Sequence, residues 1–230
     1  MRPDHRRRSA ALLAALLIAT LAPAAASGSA KIPLPSDVRP SLAGAPGDEE
    51  RLRGDGCLAF EPATAPKTCV YGDRSGSTVV ALVGDSHASM LFPAVEAVAK
   101  ARGWKLYTFV KVSCPFTRRP VYDYALGRTY TECASFVGNV ITKLKSLKPD
   151  LVITTAARWM RSGAGESQDP GVQGQGIGSA LAEVPGTKAV LVDAPYFWVD
   201  VPGCLAGHRS DVRACSLARY KTVEIGRAHV

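Results

Sequence analysis

The chain has 230 residues, a formal net charge of +8, 47% hydrophobic residues and 21% charged residues. That size and balance fit one α/β domain with a proper core and exclude a low-hydrophobicity disordered chain. The positive charge is scattered or gathered at Arg2, Arg6, Arg7 and Arg8. No Lys/Arg cluster with interleaved aromatics argues for nucleic acid.

Residues 1–30 read as a secretory signal: Arg6-Arg7-Arg8, the apolar run Ala10–Leu21, then Ala24-Ala25-Ala26 for cleavage. An uncleaved membrane anchor is the alternative, although the run is short for a span. Residues 31–50 are rich in Pro, Ala and Gly without periodicity and read as a linker or extended arm. Residues 51–223 are expected to form the domain. Six cysteines in an exported chain imply disulfides and leave the connectivity open. The sequential pairing Cys57–Cys69, Cys114–Cys133 and Cys204–Cys215 is expected, because each bridge closes a short loop. No CxxC spacing supports zinc, and no metal is expected.

Arg51–Asp73, with the first cysteine pair, reads as a stapled loop leading into the sheet. Thr78–Val83 is a β-branched apolar run, the mark of a buried strand. Gly84-Asp85-Ser86-His87 breaks it, and a helix follows with Pro93 expected in its first turn. Trp104–Val110 is a second strand, and Lys111–Pro120 a loop containing Ser113 and Cys114. Thr131–Lys148 is the clearest helix, with Cys133, Phe136, Val137, Val140, Ile141, Leu144 and Leu147 on one face. Leu151–Thr155 and Lys188–Val192 are further strands. Between them, Ala157–Gln175 reads as a loop and Gly176–Val184 as a helix weakened by its glycines. The last cysteine pair lies in an irregular segment. Strands alternating with helices imply a parallel sheet covered on both faces, with ligands beyond the carboxyl ends of the strands. Gly84–His87, Ser113, Ala157–Trp159 and Asp193–Pro195 all follow strands and are expected at that edge.

A strand, a tight turn and a helix raise a small polar residue above the sheet, so Ser86 is the candidate nucleophile. A serine needs a base to take its proton and donors for the oxyanion. Gly84 permits the turn, and the Ser86 amide is a candidate donor. Ser113, Arg158 and Trp159 are candidate site-lining residues. Asp85 reads as a local turn stabiliser. His87 is placed too close in sequence to serve Ser86 well, which favours positioning or substrate contact. His208 is a further candidate base. A rival chemistry exists: Asp85-x-His87 could open the ligand set of a two-metal phosphoesterase, with Asp150 and Asp193 as further carboxylates.

Val80–Pro93, VALVGDSHASMLFP, resembles the first block of the SGNH hydrolases. More narrowly, the chain resembles the extracytoplasmic SGNH domain associated with acyltransferase family 3 membrane proteins. The similarity runs from about Pro35 to Ser216. It includes Gly54-Asp55-Gly56-Cys57, Cys69-Val70-Tyr71-Gly72-Asp73, Ser113-Cys114-Pro115, Tyr130-Thr131-Glu132-Cys133, Arg158-Trp159 and Val201-Pro202-Gly203-Cys204. The resemblance implies a flavodoxin-like three-layer α/β/α sandwich with a parallel sheet and a Ser-His-Asp site. Ser86 matches the nucleophile and Gly84 its turn.

Two departures stand out. Arg158-Trp159 occupies the place where the wider superfamily has Gly-x-Asn, as is usual in this subgroup. The family's Asp-x-x-His finds no match after Cys215; His229 has no aspartate three residues before it. The tail Glu224–Val230 reads as non-native, like a sequencing adapter translated through. A C-terminal truncation is therefore expected, with the catalytic His and Asp missing along with a last strand or helix.

The resemblance implies an exported serine O-acyltransferase or acetylesterase acting on a cell-surface glycan, inactive as this fragment. It implies an acyl donor and a glycan as partners, association with a membrane acyltransferase domain, and no cofactor. Its location would be secreted or extracytoplasmic, free or membrane-anchored. The alternatives are a non-catalytic, disulfide-stapled carbohydrate-binding module and the metal-dependent phosphoesterase.

Overall fold

The computed structural model describes residues 30–45, 50–157, 161–162, 170–195, 197 and 199–218, with the backbone alone at 161, 162 and 170. Residues 1–29 of the signal segment and the tail 224–230 therefore lie outside the described residues.

The fold is α/β. Its main sheet centres on β3 (Val79–Gly84), which pairs in parallel with β4 (Lys105–Lys111) on one side and β7 (Leu151–Thr155) on the other. Beyond β7 lies β9 (Thr187–Val190), also parallel. β4 carries two short strands on its outer edge: β1 (Leu58–Ala59), parallel, and β2 (Cys69–Gly72), antiparallel. The segment 51–73, expected as a stapled loop, is thus partly sheet, opening with the short helix α1 (Arg51–Gly54).

The inner strand explains its own sequence. Successive side chains of β3 point to opposite faces, and both faces are covered, so it reads as an unbroken apolar run. Val80 and Leu82 pack under α2 (Ser86–Arg102), against Ala88, Phe92, Val95 and Ala99. Ala81 and Val83 face α3 (Thr131–Leu147) and α4 (Pro170–Ala182), through Phe136, Val140, Leu144, Ile177 and Ala180. Helices on both faces make three layers. Among the described residues no helix is long and apolar enough to cross a membrane.

Several boundaries differ from the sequence reading. α2 begins at Ser86, so Pro93 stands inside the helix rather than in its first turn. The start is fixed by Asp85, whose side chain caps it. Pro93 then lacks the N–H that would bond the Ser89 carbonyl. α4 begins at Pro170, within the expected loop. Its glycines allow close packing: a Cβ on Gly176 would lie 2.2 Å from Thr117 Oγ1. β9 begins at Thr187, where its amide bonds the Asp150 carbonyl, and ends at Val190. A small antiparallel sheet of β5 (Val121–Asp123), β6 (Arg128–Thr129) and β8 (Arg161–Ser162) had no counterpart in the sequence reading.

Three disulfides form: Cys57–Cys69, Cys114–Cys133 and Cys204–Cys215. The last joins α5 (Val201–Gly207) to a 3-10 turn, Val212–Cys215. The early arm docks here. The Leu34 amide bonds the Arg209 carbonyl, and the Val212 amide bonds the Ile32 carbonyl, both at 2.8 Å.

Candidate active site

The turn after β3 is built around Gly84, at φ 143. A Cβ there would lie 2.6 Å from the Thr155 carbonyl and 3.0 Å from the Ala88 Cβ. Only glycine lets the strand end so close to β7 and α2. Asp85 follows, fully buried. Its Oδ1 accepts the His87 amide at 2.9 Å, and its Oδ2 accepts the Ala157 amide at 2.8 Å. Burial pushes the Asp85 carboxyl up from its usual range, and the amides of Ala157 and His87 oppose that shift. Asp85 therefore ties the end of β7 to the start of α2.

Ser86 is the first residue of α2 and is half-buried. Its amide is one of the N–H groups that a helix start leaves without an internal partner. The helix dipole places positive potential there. Among the described residues no group hydrogen-bonds the Ser86 hydroxyl. The position presents a backbone N–H beside a serine hydroxyl at the head of the helix.

His87 turns to a different partner. Its Nδ1 lies 2.5 Å from Asp193 Oδ1, with the two side chains 9% and 3% exposed. The carboxylate accepts, so His87 donates from Nδ1. Asp193 lies just beyond β9, at the same sheet edge as Ser86. Sequence reasoning gathered Asp193 at this edge and gave it a role only in the metal reading. The signal that could have linked it to His87 was its place after the fourth parallel strand.

The other candidates are scattered along the edge. Ser113, beyond β4, is half-buried at φ 55. It borders a pocket of about 240 Å³ with Glu61, Asp123 and Tyr130. Burial pushes the Tyr130 hydroxyl up. Arg158 and Trp159 lie outside the described residues. His208, at the exposed end of α5, donates from Nδ1 to the Cys204 carbonyl at 2.9 Å. Asp150, needed by the two-metal reading, accepts the Val79 amide at the opposite end of β3 from Ser86. Cys204, His208 and Cys215 lie close enough to hold an ion, but the two sulfurs are joined to each other.

No curated protein matches the chain by sequence. Among solved structures, the periplasmic domain of a lipopolysaccharide acetyltransferase from Salmonella ser. Paratyphi A superposes with a TM-score of 0.54 at 14% identity. The match covers 74% of this chain and 64% of that one, and supports the α/β fold. Residues 55–228 match the profile described as "SGNH domain (fused to AT3 domains)". A match over that much of the sequence, on a sheet whose central strand ends at Gly84-Asp85-Ser86-His87, makes this chain a member of the SGNH domain family.

Proposed function

We propose that the chain is an exported serine acyl-transfer domain that moves an acyl group to or from a cell-surface glycan. It would work beside a membrane acyltransferase domain of the kind to which its family is fused. The observation that carries this is the placement of Ser86: half-buried at the start of a long helix, above the carboxyl end of the central strand. The Ser86 oxygen would attack the acyl carbonyl, and its own amide would help hold the oxyanion. Ser113, Arg158 and Trp159 would line the same edge.

Among the described residues neither histidine hydrogen-bonds the Ser86 hydroxyl: His87 donates from Nδ1 to Asp193, and His208 donates to the Cys204 carbonyl of its own helix. We infer that the base comes from residues outside the described ones. Losing the base removes orders of magnitude in rate and leaves the oxyanion site intact.

Labelling with a fluorophosphonate in the presence of added imidazole tests this. The expected result is modification at Ser86, located by mass spectrometry, accelerated by imidazole and abolished in Ser86→Ala. No labelling of Ser86 even with imidazole would overturn the nucleophile and favour a carbohydrate-binding module.

A further inference from the structure

The hollow of about 240 Å³ beyond β4 is bordered by Phe60, Glu61, Ser113, Asp123, Leu126 and Tyr130. The structure describes every residue of the stretches that border it, 60–61, 112–113 and 123–130. Tyr130 is 2% exposed, yet its hydroxyl has no hydrogen-bond partner among the described residues. A phenol so deeply set and left unpaired is uncommon. Burial and the charges of Asp123, Glu61 and Glu132 push that hydroxyl up, so it stays a neutral donor. Asp123 is 8% exposed. Its Oδ1 accepts the Ala125 and Leu126 amides at 2.8 and 3.0 Å, which fixes the carboxylate. Its Oδ2 has no partner among the described residues.

Ser113 adds a third unspent group. At φ 55 it holds a backbone shape that glycine would take without strain. Its hydroxyl makes no hydrogen bond among the described residues. A strained serine whose side chain serves nothing inside the fold points to a use at the surface. At the rim, the Glu61 carboxylate lies 3.8 Å from Arg128 and is 42% exposed. Phe60 and Leu126 add apolar surface. A pyranose ring presents the matching mixture, with hydroxyls around its edge and C–H groups on its faces. Two nearby carboxylates disfavour a ring that carries its own negative charge. The hollow and Ser86 lie at the same end of the sheet, because β3 and β4 run parallel with Gly84 opposite Val110. Ser86 itself does not border the hollow.

We propose that this hollow is a sugar subsite that holds one neutral pyranose ring, bonded through Asp123 and the hydroxyls of Ser113 and Tyr130. Tyr130 donates to a ring oxygen, Asp123 Oδ2 accepts from a ring hydroxyl, and Ser113 can do either. The inference deepens the glycan half of the proposed function and rests on that reading only for the ring's membership of a cell-surface glycan. Sugar binding here does not depend on Ser86 being a nucleophile.

The test needs no turnover. The full chain is labelled with nitrogen-15, and the Ala125 and Leu126 amides report on the Asp123 carboxylate to which they are bonded. The methyl pyranosides of glucose, galactose and mannose are titrated one at a time. At least one should shift both amides saturably, with half-saturation in the millimolar range. Methyl glucuronide, which carries a carboxylate, should need about tenfold more. Tyr130→Phe removes only the hydroxyl, and Ser113→Gly suits the backbone at that position. Each should raise the half-saturating concentration roughly fivefold, the loss of one neutral hydrogen bond. No saturable shift with any of the three sugars, or half-saturation unchanged in either variant, overturns the subsite. Equal half-saturation for the glucuronide overturns its preference for a neutral ring. Ser86 labelling without sugar shifts removes the subsite and keeps the nucleophile. Sugar shifts without Ser86 labelling keep the subsite and remove acyl transfer.

Discussion

Beyond β4 the sheet is closed by β1 and β2, which the Cys57–Cys69 bridge ties together. Lys111, at the end of β4, is fully buried and donates to the Phe60 and Ala63 carbonyls at 2.8 and 2.7 Å. Its ammonium also lies 5.0 Å from the Tyr130 ring centre. Beyond β9, no strand among the described residues covers the edge, and Val190 and Val192 are 59% and 85% exposed. The site at Ser86 sits between these two margins. Its turn is held by β7, through the Thr155 carbonyl beside Gly84 and the Ala157 amide bonded to Asp85, while the margin beyond β9 leaves apolar side chains open to solvent.

The largest effect is expected where the two sides meet. Gly84→Val combines a disfavoured φ with a clash against the Thr155 carbonyl, and should cost more than about 3 kcal/mol, read from urea unfolding. A cost near zero would mean that the turn can relax away from β7, and the fixed half of the comparison would fail.

The disulfides sharpen the contrast further. Cys57–Cys69 and Cys204–Cys215 span 12 and 11 residues, so chain entropy alone gives each about 3 kcal/mol. Replacing the first pair by serine should lower global stability by roughly that amount. Replacing the second should leave the sheet's hydrogen-exchange protection unchanged and speed exchange only around α5 and the arm bonded to it. Equal global losses would show that both margins unfold with the core.

The smallest effect concerns Glu132, in the first turn of α3. The hydrogen bonds from Arg128 hold its carboxyl down at about 2. A carboxyl depressed in the folded state stabilises above its unfolded value near 4.5, and that support is lost as pH falls toward 2. Glu132→Gln should therefore be slightly less stable than the parent at neutral pH, with the gap closing in acid. A gap independent of pH would show that the pair adds nothing by charge.

How much of this was legible beforehand follows from where each signal lives. β3, β7 and α3 carry their pattern in consecutive residues, because each buries a face that repeats with its own period. β1 and β2 are too short for any period to show and take their shape from β4. Only the start of α4, before Gly176, was hidden, because its glycines read as loop; Gly176 itself serves close approach to Thr117. In the site, Gly84, Asp85 and Ser86 were visible as a local break between strand and helix. The partnership of His87 with Asp193 spans 106 positions, and only the folded sheet brings the two together.

Asp85 has a bearing on how mutants of this turn should be interpreted. Both of its oxygens hold backbone, one at the head of a helix and one past a neighbouring strand. Asparagine would keep a single acceptor and place an amide group against the other N–H. An inactive Asp85→Asn protein would thus report a displaced serine rather than a lost proton carrier, and its crystal structure would show the helix shifted along its axis.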